Sequence, residues 1–208
     1  MPRLFTALEI PRDASLSLSL LRGGLPGARW IDVENYHITL RFIGDVPGRV
    51  ADDIVNGLDR VRRPGFQINL SGVGTFGSKK PHALWAGVAP SPELFALQSE
   101  IDRICLRHGA APDPRKFTPH VTLARLRNAA PHELAAYLSG RGNFATAPFR
   151  VARFVLMSSR DSVGGGPYLV EEAWPLSGSS QGAASFSASA SDAVRSMRET
   201  VSKPSAPP

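Results

Sequence analysis

The sequence predicts an α+β protein with antiparallel sheet, and three features support this class. Predicted strands and predicted helices are interspersed along the chain. Two strand-like segments, NYHITLRF at 35–42 and RKFTPHVTLAR at 115–125, repeat the order His, apolar residue, Thr, Leu. Each of them precedes a helix and a further strand, which indicates two similar halves, although no other repeat is readable.

The N-terminal part of the chain contains one clear strand, one ambiguous segment and one helix. The strand is predicted at 4–9 and is closed by Pro11. Residues 15–21, SLSLSLL, alternate like a strand, yet the pattern alone leaves helix and strand equally open there. After the 35–42 strand, apolar residues at helical spacing predict a helix over 49–62. These residues are Val50, Ile54, Leu58 and Val61.

The clearest helix is predicted over 91–109. Ser91 can cap its N-terminus, Pro92 suits its first turn, and Gly109 ends it. Its apolar face consists of Leu94, Leu97, Ile101 and Ile104.

Strands and one shorter helix surround this element. Two strands are predicted at 66–76 and 83–89, with the turn GSKKP between them. A helix at 131–140 follows the second motif strand, and a strand at 149–158 completes the order.

Composition divides the chain near Ser177. From there the sequence is rich in Ser, Ala, Pro and Gly and contains a single aromatic residue. Such a segment cannot bury enough apolar surface to order itself. The sequence therefore predicts a folded domain over 1–176 and a disordered tail over 177–208.

Charge and cysteine content narrow the function classes. The net charge is +6 at pH 7, and the tail holds three basic and two acidic residues, which leaves +5 on residues 1–176. A mildly basic body favours anionic partners such as phosphates or RNA, although a solvated Arg-rich surface explains the charge equally well. The one cysteine, Cys105, excludes an internal disulfide and fits a reducing cytoplasm. No run of about 18 apolar residues and no signal-peptide layout is present, so we expect a cytoplasmic protein without a membrane span.

The two repeated motifs each present an imidazole and a hydroxyl group to one side of a strand. Because residues i and i+2 of a strand face the same side, His37 and Thr39 share one face, and so do His120 and Thr122. The apolar residues between them anchor the other face in the core. Arg125 has the wrong parity in a straight strand, but a bend or bulge near the strand end could return it to the same side.

Two opposed histidines with hydroxyl donors suit the cleavage of a phosphodiester without a metal ion. A neutral imidazole can take a proton from water while a protonated one gives a proton to the leaving oxygen, since the usual pKa of histidine is about 6.5. Threonine hydroxyls and a guanidinium group can hold the phosphoryl oxygens of the transition state. The motif histidines have no further ligand at close spacing, which disfavours zinc, and the chain has no Gly-x-Ser-x-Gly elbow of a serine hydrolase.

A single His-x-Thr-Leu is weak support for function, because a strand histidine is more often a structural group. One such motif is expected by chance in roughly one chain in twenty of this size, and two in well under about one in a hundred. The pair therefore favours a functional role. The other histidines are isolated in the sequence and are assigned no role: His82, His108 and His132.

These motifs resemble those of the 2H phosphoesterase superfamily, and most closely its branch of bacterial and archaeal RNA 2′,3′-cyclic phosphodiesterases, first described as 2′-5′ RNA ligases. Further stretches follow the running order of that branch: RLFTALEIP, ARWIDVENYHITLRFIGDV, PHALWAGV, FTPHVTLAR and GGGPYLVEEAWPL. The resemblance covers about residues 3–176, leaves out the tail, and shows no substitution at a motif position.

The resemblance implies a bilobal fold with two antiparallel sheets, helices on the outside, and a central cleft lined by the two His-x-Thr strands. It also favours a helix at 15–21, against the alternation. Arg41 and Phe42 fit the usual sequence of the branch. For Phe42 we favour a core position over a platform on which a base stacks.

The resemblance also implies a role for each motif residue. His37 corresponds to the proton donor for the leaving oxygen, and His120 to the proton acceptor that activates water. Thr39, Thr122 and Arg125 correspond to contacts with the substrate phosphate. No metal and no other cofactor is expected.

The expected activity is hydrolysis of the terminal 2′,3′-cyclic phosphate of RNA to a 2′-phosphate, by a monomer that also accepts nucleoside 2′,3′-cyclic phosphates. One alternative is the reverse chemistry, 2′-5′ ligation of tRNA halves, at an identical site. Another is a non-catalytic nucleotide- or RNA-binding module, against which the intact histidines argue.

Truncation after Ser177 tests the predicted tail. Removal of residues 178–208 should leave the melting temperature and the turnover nearly unchanged, because the segment has too little apolar content to dock on the domain. Thermal unfolding of the full-length and truncated chains measures this. A large drop in melting temperature would show that the segment packs on the domain.

Overall fold

The computed structural model of the chain describes residues 3–77, 80–159 and 167–177, so the predicted tail at 177–208 lies outside the described residues except for Ser177. Within these ranges the strands are β1 Arg3–Glu9, β2 Ala28–Trp30, β3 His37–Gly44, β4 Phe66–Ile68, β5 Leu70–Phe76, β6 Ala83–Val88, β7 His120–Leu126, β8 Phe149–Val151, β9 Arg153–Ser159 and β10 Tyr168–Pro175. The helices are α1 Arg12–Ser19, α2 Gly48–Leu58, α3 Pro92–Arg107 and α4 Pro131–Arg141. None of these helices is long and apolar enough to cross a bilayer.

Eight of the strands in the described part of the chain form one antiparallel sheet that has two halves. One half has the order β10–β9–β1–β3 and the other has the order β7–β6–β5. Strand β2 pairs with the C-terminal part of β7. The halves meet where β3 and β7 pair through Ile38 and Val121. Strands β4 and β8 form a separate two-stranded sheet. The predicted α+β class with antiparallel sheets is confirmed.

One hydrophobic core connects both halves of the sheet with the four α-helices of the described residues. Its fully buried members include Ile38 of β3, Val121 of β7 and Leu97 of α3. The helices therefore lie on the sheet face to which these aliphatic residues point. A smaller apolar cluster is separate from this core and consists of Phe5, Ala7, Val155 and Met157, with Tyr168 packed against it.

Helix α1 forms although SLSLSLL alternates like a strand. A second pattern is present at helical spacing and is the one that is buried in the core: Ala14, Leu18, Leu21 and Leu25. The other leucines of the alternation stay in water, with Leu16 53% and Leu20 83% exposed. The Ser17 hydroxyl donates to the carbonyl of Asp13 (3.0 Å), as serines in helices often do. The expectation of a helix at this position is confirmed.

Two predicted strands are each divided in the structure. Residues 66–76 form β4 and β5 with a break at Asn69, and residues 149–158 form β8 and β9 with a break at Ala152. Because β4 and β8 pair with each other, both breaks occur where the chain passes between the small sheet and the large one. Sequence pattern does not reveal such a change of sheet, since both parts keep strand composition.

One helix end and two strands also differ from the prediction. The helix predicted to residue 62 ends at Leu58. Strand β2 was missed because it has only three residues, and β10 because it is a largely exposed edge strand with two glutamates. The predicted domain boundary stays a prediction, although Ser177 is held by hydrogen bonds to the backbone of Arg63 and Gly65 (2.7 and 2.9 Å).

Strands β3 and β7 carry the two motifs. The segment that precedes each of these strands contacts the other strand. The segment before β3 forms β2, which pairs with β7, and the Ile31 N–H donates to the backbone of β7 (2.9 Å). The segment before β7 is tied to β3 by Arg41, whose guanidinium donates to the carbonyl of Ala111 and approaches Asp113. The two halves are thus joined by these exchanged segments as well as by the sheet.

Arg41 is buried, and partly exposed carboxylates balance its charge. Its Nε lies 2.5 Å from Oδ1 of Asp102, an ionic contact without hydrogen-bond alignment. Its Nη1 lies 3.9 Å from Oδ2 of Asp113 and donates to the carbonyl of Phe42 (2.6 Å). Removal of the guanidinium would leave these acceptors without their cation.

Replacement of Arg41 tests this connection. Arg41→Met should lower the free energy of unfolding by about 3 kcal/mol, since it breaks a buried ion cluster and orphans two carbonyl groups. Arg115→Gln is the matched control, because the exposed Arg115 pairs with the same Asp113 at the surface and should cost less than about 1 kcal/mol. Urea denaturation measures both, and equal small losses would contradict a stabilising role for Arg41.

Candidate active site

The pairing of Ile38 with Val121 places the polar side chains of both motifs on one face. Residues opposite each other in an antiparallel pair point to the same side, and both of these are fully buried in the core. Their neighbours in each strand must therefore point the opposite way. These neighbours are His37, Thr39, His120 and Thr122, which line one cleft of about 780 Å³.

The same backbone contact fixes both imidazoles. Nδ1 of His37 lies 2.8 Å from the carbonyl of Asn35, and Nδ1 of His120 lies 2.7 Å from the carbonyl of Thr118. Because a carbonyl oxygen only accepts, Nδ1 carries the hydrogen in both rings and Nε2 is the free nitrogen of the neutral form. For His37, Nε2 lies 3.1 Å from the hydroxyl of Thr39. Each histidine therefore offers Nε2 for proton transfer.

Aromatic rings enclose His37. Its ring lies 5.1 Å from that of Phe5 and 5.0 Å from that of Tyr168, the latter edge to face. The Tyr168 N–H donates to the side chain of Asn35 (3.3 Å), the residue whose carbonyl holds His37. The same residues thus shield the imidazole from water and set its orientation.

A second aromatic wall stands beside His120. The ring of Phe76 lies 4.8 Å from the imidazole, edge to face, and that of Trp85 lies 6.4 Å away. The indole covers Gly74 so closely that a Cβ there would come within 2.5 Å of it. Gly74 therefore provides the space that lets Trp85 lie next to His120.

Burial in these walls lowers the pKa of both histidines. Desolvation is the largest cause for His37 and brings its pKa to about 4, with smaller contributions from the charges of His120 and Arg125. Desolvation is also the largest cause of the lowered pKa of His120, followed by the charges of Arg125 and Arg115. In each case the hydrogen bond to the backbone carbonyl partly offsets the decrease.

A β-bulge brings Arg125 into the cleft. In the pairing of β6 with β7, Leu84 is opposite Ala124 and Trp85 is opposite Thr122, so Leu123 has no partner. The extra residue reverses the parity of the strand beyond it. As a result Ala124 is buried, whereas Arg125 is exposed and lines the cleft. The bulge that the sequence left open is thus present.

The same bulge occurs in β3 and corrects our expectation for Phe42. Ala7 is opposite Thr39 and Thr6 is opposite Arg41, so Leu40 has no partner. Beyond it Phe42 is 43% exposed, lines the cleft and stacks on Phe5 at 5.5 Å. The favoured core position for Phe42 is therefore wrong, and its ring is available to a ligand.

The cleft also contains residues that sequence reasoning missed. Besides Phe42, the rings of its walls include Phe5 and Phe76, which belong to strands whose patterns indicate core, and Tyr168, which belongs to the missed edge strand β10. Basic residues were missed as well, namely Arg3, Arg115 and Lys116. For the last two a signal existed, since they directly precede the second motif. His82, which was assigned no role, lines the cleft too.

Known proteins share both the sequence and the fold. The sequence profile of the 2′-5′ RNA ligase superfamily matches residues 27–162, more than half of the chain. A protein of Aeropyrum pernix named RNA 2′,3′-cyclic phosphodiesterase is 39% identical over 122 residues, which are 58% of this chain and 69% of that protein. One of the same name from Aquifex aeolicus is 29% identical over 155 residues, 72% of this chain and 82% of that protein.

A crystal structure of Escherichia coli LigT complexed with 3′-AMP has a similar fold. Its TM-score with this chain is 0.70 at 25% sequence identity. The similarity covers 85% of this chain and 99% of LigT. The similarity thus extends over nearly all of LigT.

The lowered pKa of His37 predicts how stability depends on pH. Between pH about 4 and 6.5 the unfolded chain binds more protons at this histidine than the folded chain, so the free energy of unfolding falls as the pH is lowered through this window. The loss should level off below pH about 4 and reach at most ~3 kcal/mol. His37→Gln should make the profile shallower but not flat, because His120 also has a lowered pKa, whereas His132→Gln, at an exposed site, should leave the slope unchanged. Urea denaturation at several pH values checks this, and parallel profiles for wild type and His37→Gln would contradict it.

Proposed function

Because the chain belongs to the 2′-5′ RNA ligase superfamily, we propose that it hydrolyses the terminal 2′,3′-cyclic phosphate of RNA, or a nucleoside 2′,3′-cyclic phosphate, to a 2′-phosphate. The observation that carries this proposal is the pair of imidazoles in one cleft whose Nδ1 atoms are held by identical backbone contacts, so that Nε2 of each is the nitrogen without a hydrogen. The relatives named RNA 2′,3′-cyclic phosphodiesterase support the substrate class.

In the proposed reaction, Nε2 of His120 takes a proton from a water molecule while the water oxygen forms a bond to phosphorus. The bond between phosphorus and the 3′ oxygen breaks, and protonated His37 gives its proton to that oxygen. One water molecule is consumed, and the product carries a 3′ hydroxyl and a 2′-phosphate. The histidines exchange protonation states in the reaction, and solvent then restores them.

Three further side chains would hold the phosphate. Thr39 and Thr122 share the face of the histidines, and Arg125 lies in the same cleft beyond the bulge. Hydroxyl and guanidinium donors stabilise the charge that develops on the phosphoryl oxygens. In the free protein Thr39 contacts Nε2 of His37 (3.1 Å), so its hydroxyl would turn to the phosphate when substrate binds.

The protonation states of the histidines in the free protein bear on which of them is the acid and which is the base. With a pKa of about 4, His37 is neutral in the free protein at neutral pH, whereas a proton donor must be charged. A bound phosphodiester places a negative charge beside the ring and raises its pKa. His37 would therefore take up its proton together with the substrate. The reverse assignment, with His37 as the base, would use the resting state of His37, but His120, whose pKa is also lowered by burial, would then have to take up the proton.

Ligation is the second candidate, and the description of the matching family favours it. The same site would join a 2′,3′-cyclic phosphate to the 5′ hydroxyl of a second RNA. Mass action favours hydrolysis, because water is in large excess over RNA ends. Product length separates the two, since only ligation lengthens the RNA.

The remaining features of the proposal concern the state of the chain. We propose a monomer with residues 1–176 as its folded unit, acting in the cytoplasm. Cys105, the one cysteine, is buried and unpaired, which suits a reducing compartment.

Substitution of the motif histidines tests the proposed activity. His37→Ala and His120→Ala should each lower turnover of adenosine 2′,3′-cyclic phosphate at least about 100-fold, because each removes one proton transfer. His82→Ala is the matched control in the same cleft and should change turnover little. The assays contain EDTA, and turnover should not depend on a metal ion. Within the described ranges, no group of three His, Cys, Asp or Glu side chains is placed to hold one. Absence of hydrolysis by the wild type, or a 3′-phosphate product, would contradict the proposal.

A substrate with an activated leaving group separates the two roles. An aryl phosphodiester needs little protonation of its leaving oxygen, so it should largely restore activity to His37→Ala and leave His120→Ala inactive. The double variant should lose far less than the product of the two single losses. The opposite rescue would exchange the roles, and rescue of neither variant would contradict the pairing of an acid with a base.

A further inference from the structure

The cleft carries more positive charge than one phosphodiester requires. Its described lining contains two carboxylates, Asp102 and Asp113, and five permanent cations. The cations are Arg3, Arg41, Arg115, Lys116 and Arg125. The surplus of three positive charges faces a cyclic phosphate that carries one negative charge.

The two carboxylates neutralise two of these cations. Arg41 contacts Asp102 and approaches Asp113, as described above. Arg115 forms a bidentate pair with Asp113, at 2.8 and 2.7 Å, which lowers the pKa of Asp113 to about 2. This leaves Arg3, Lys116 and Arg125 without an anionic partner among the described residues.

Lys116 lies on a segment that is held on both sides. On one side Arg115 is paired with Asp113, and on the other Phe117 packs edge to face against Phe95 at 5.4 Å. Lys116 is exposed between them and lines the cleft. Lys116 is four positions before His120, so their Cα atoms are no more than about 14 Å apart.

Arg3 lies further along the cleft from the histidines, beyond the aromatic pair. Arg3, Phe5 and Ala7 share one face of β1, and Ala7 is opposite Thr39 while Phe5 is opposite Phe42. Arg3 therefore follows the Phe5 ring by about 7 Å along the strand. From the catalytic groups outward, the order along the strand pair is reaction centre, aromatic ring, cation. An RNA 3′ end has the same order of terminal phosphate, base and preceding phosphate.

The cations that act on the two histidines are Arg125 and Arg115, and not Lys116 or Arg3. The charges of Arg125 and Arg115 lower the pKa of His120, and that of Arg125 lowers the pKa of His37. Arg125 therefore accounts for the reacting phosphate. Lys116 and Arg3 remain available for phosphates that are not cleaved.

We propose that Lys116 and Arg3 form a second phosphate subsite, which binds the internucleotide phosphates that precede the terminal cyclic phosphate. This inference rests on the proposed function and assigns its substrate class, RNA oligonucleotides in preference to nucleoside 2′,3′-cyclic phosphates. The subsite contacts the backbone and so reads no base sequence. Each contact contributes affinity that decreases with salt.

The test compares two substrates, adenosine 2′,3′-cyclic phosphate and a short oligoadenylate that ends in the same group. Lys116→Gln and Arg3→Gln should each lower kcat/KM for the oligonucleotide about threefold to tenfold and leave that for the mononucleotide unchanged. The slope of log kcat/KM against log salt concentration for the oligonucleotide should become shallower by about 0.7 per substitution. Lys80→Gln is the matched control, because Lys80 is exposed and lies outside the cleft lining.

A neutral linkage provides the complementary test. An oligonucleotide with a methylphosphonate at the position before the terminal nucleotide should react more slowly than its parent with wild type, and less so with the Lys116→Gln/Arg3→Gln double variant. If the variants lose equal activity on both substrates, or none on the oligonucleotide, the subsite is overturned. The proposed function would still stand in that case, provided that the wild type hydrolyses the substrates. Failure of the wild type to hydrolyse either substrate would instead overturn the proposed function.

Discussion

Where β3 and β7 meet, Ile38 is opposite Val121 and both side chains are fully buried. Because side chains alternate along a strand, this register sends the histidine and threonine of each motif to the opposite surface. A slip of one residue in either strand would turn its polar groups into the core and its aliphatic groups into the cleft. The free energy of burying apolar side chains on one face thus fixes the geometry of the candidate site on the other.

The two halves share a backbone design but differ in the side chains that it displays. A bulge at the leucine of each motif reverses strand parity at the same point, after Thr39 and after Thr122. The side chain returned to the cleft is Phe42 in one half and Arg125 in the other. One end of the cleft therefore presents a ring and the other a guanidinium. The two ends of the cleft are therefore chemically distinct, whereas the ends of a symmetric cleft would be alike.

Burial of the imidazoles connects stability with the proposed function. Aromatic walls and backbone carbonyls hold His37 and His120 in one orientation and one tautomer, and the same walls lower their pKa values. The resting site is thus adapted to neutral histidines beside cations that have no anionic partner within the described ranges. A phosphodiester supplies the negative charge that makes a protonated imidazole favourable, so substrate charge completes the electrostatics of the site.

The sequence by itself determined the α+β class, most elements and the motif residues, because these depend on local periodicity: i and i+2 in the motif strands, and buried positions such as Leu97 and Ile101 in α3. Only the tertiary structure decided which residues pack against the histidines or share their cleft. Phe5, Trp85 and Lys116 come from different strands and a connecting segment, and no local pattern specifies that they meet. The exposure of Phe42 likewise depends on a bulge, which arises from the pairing of β3 with β1 and leaves no mark in the sequence of β3 alone.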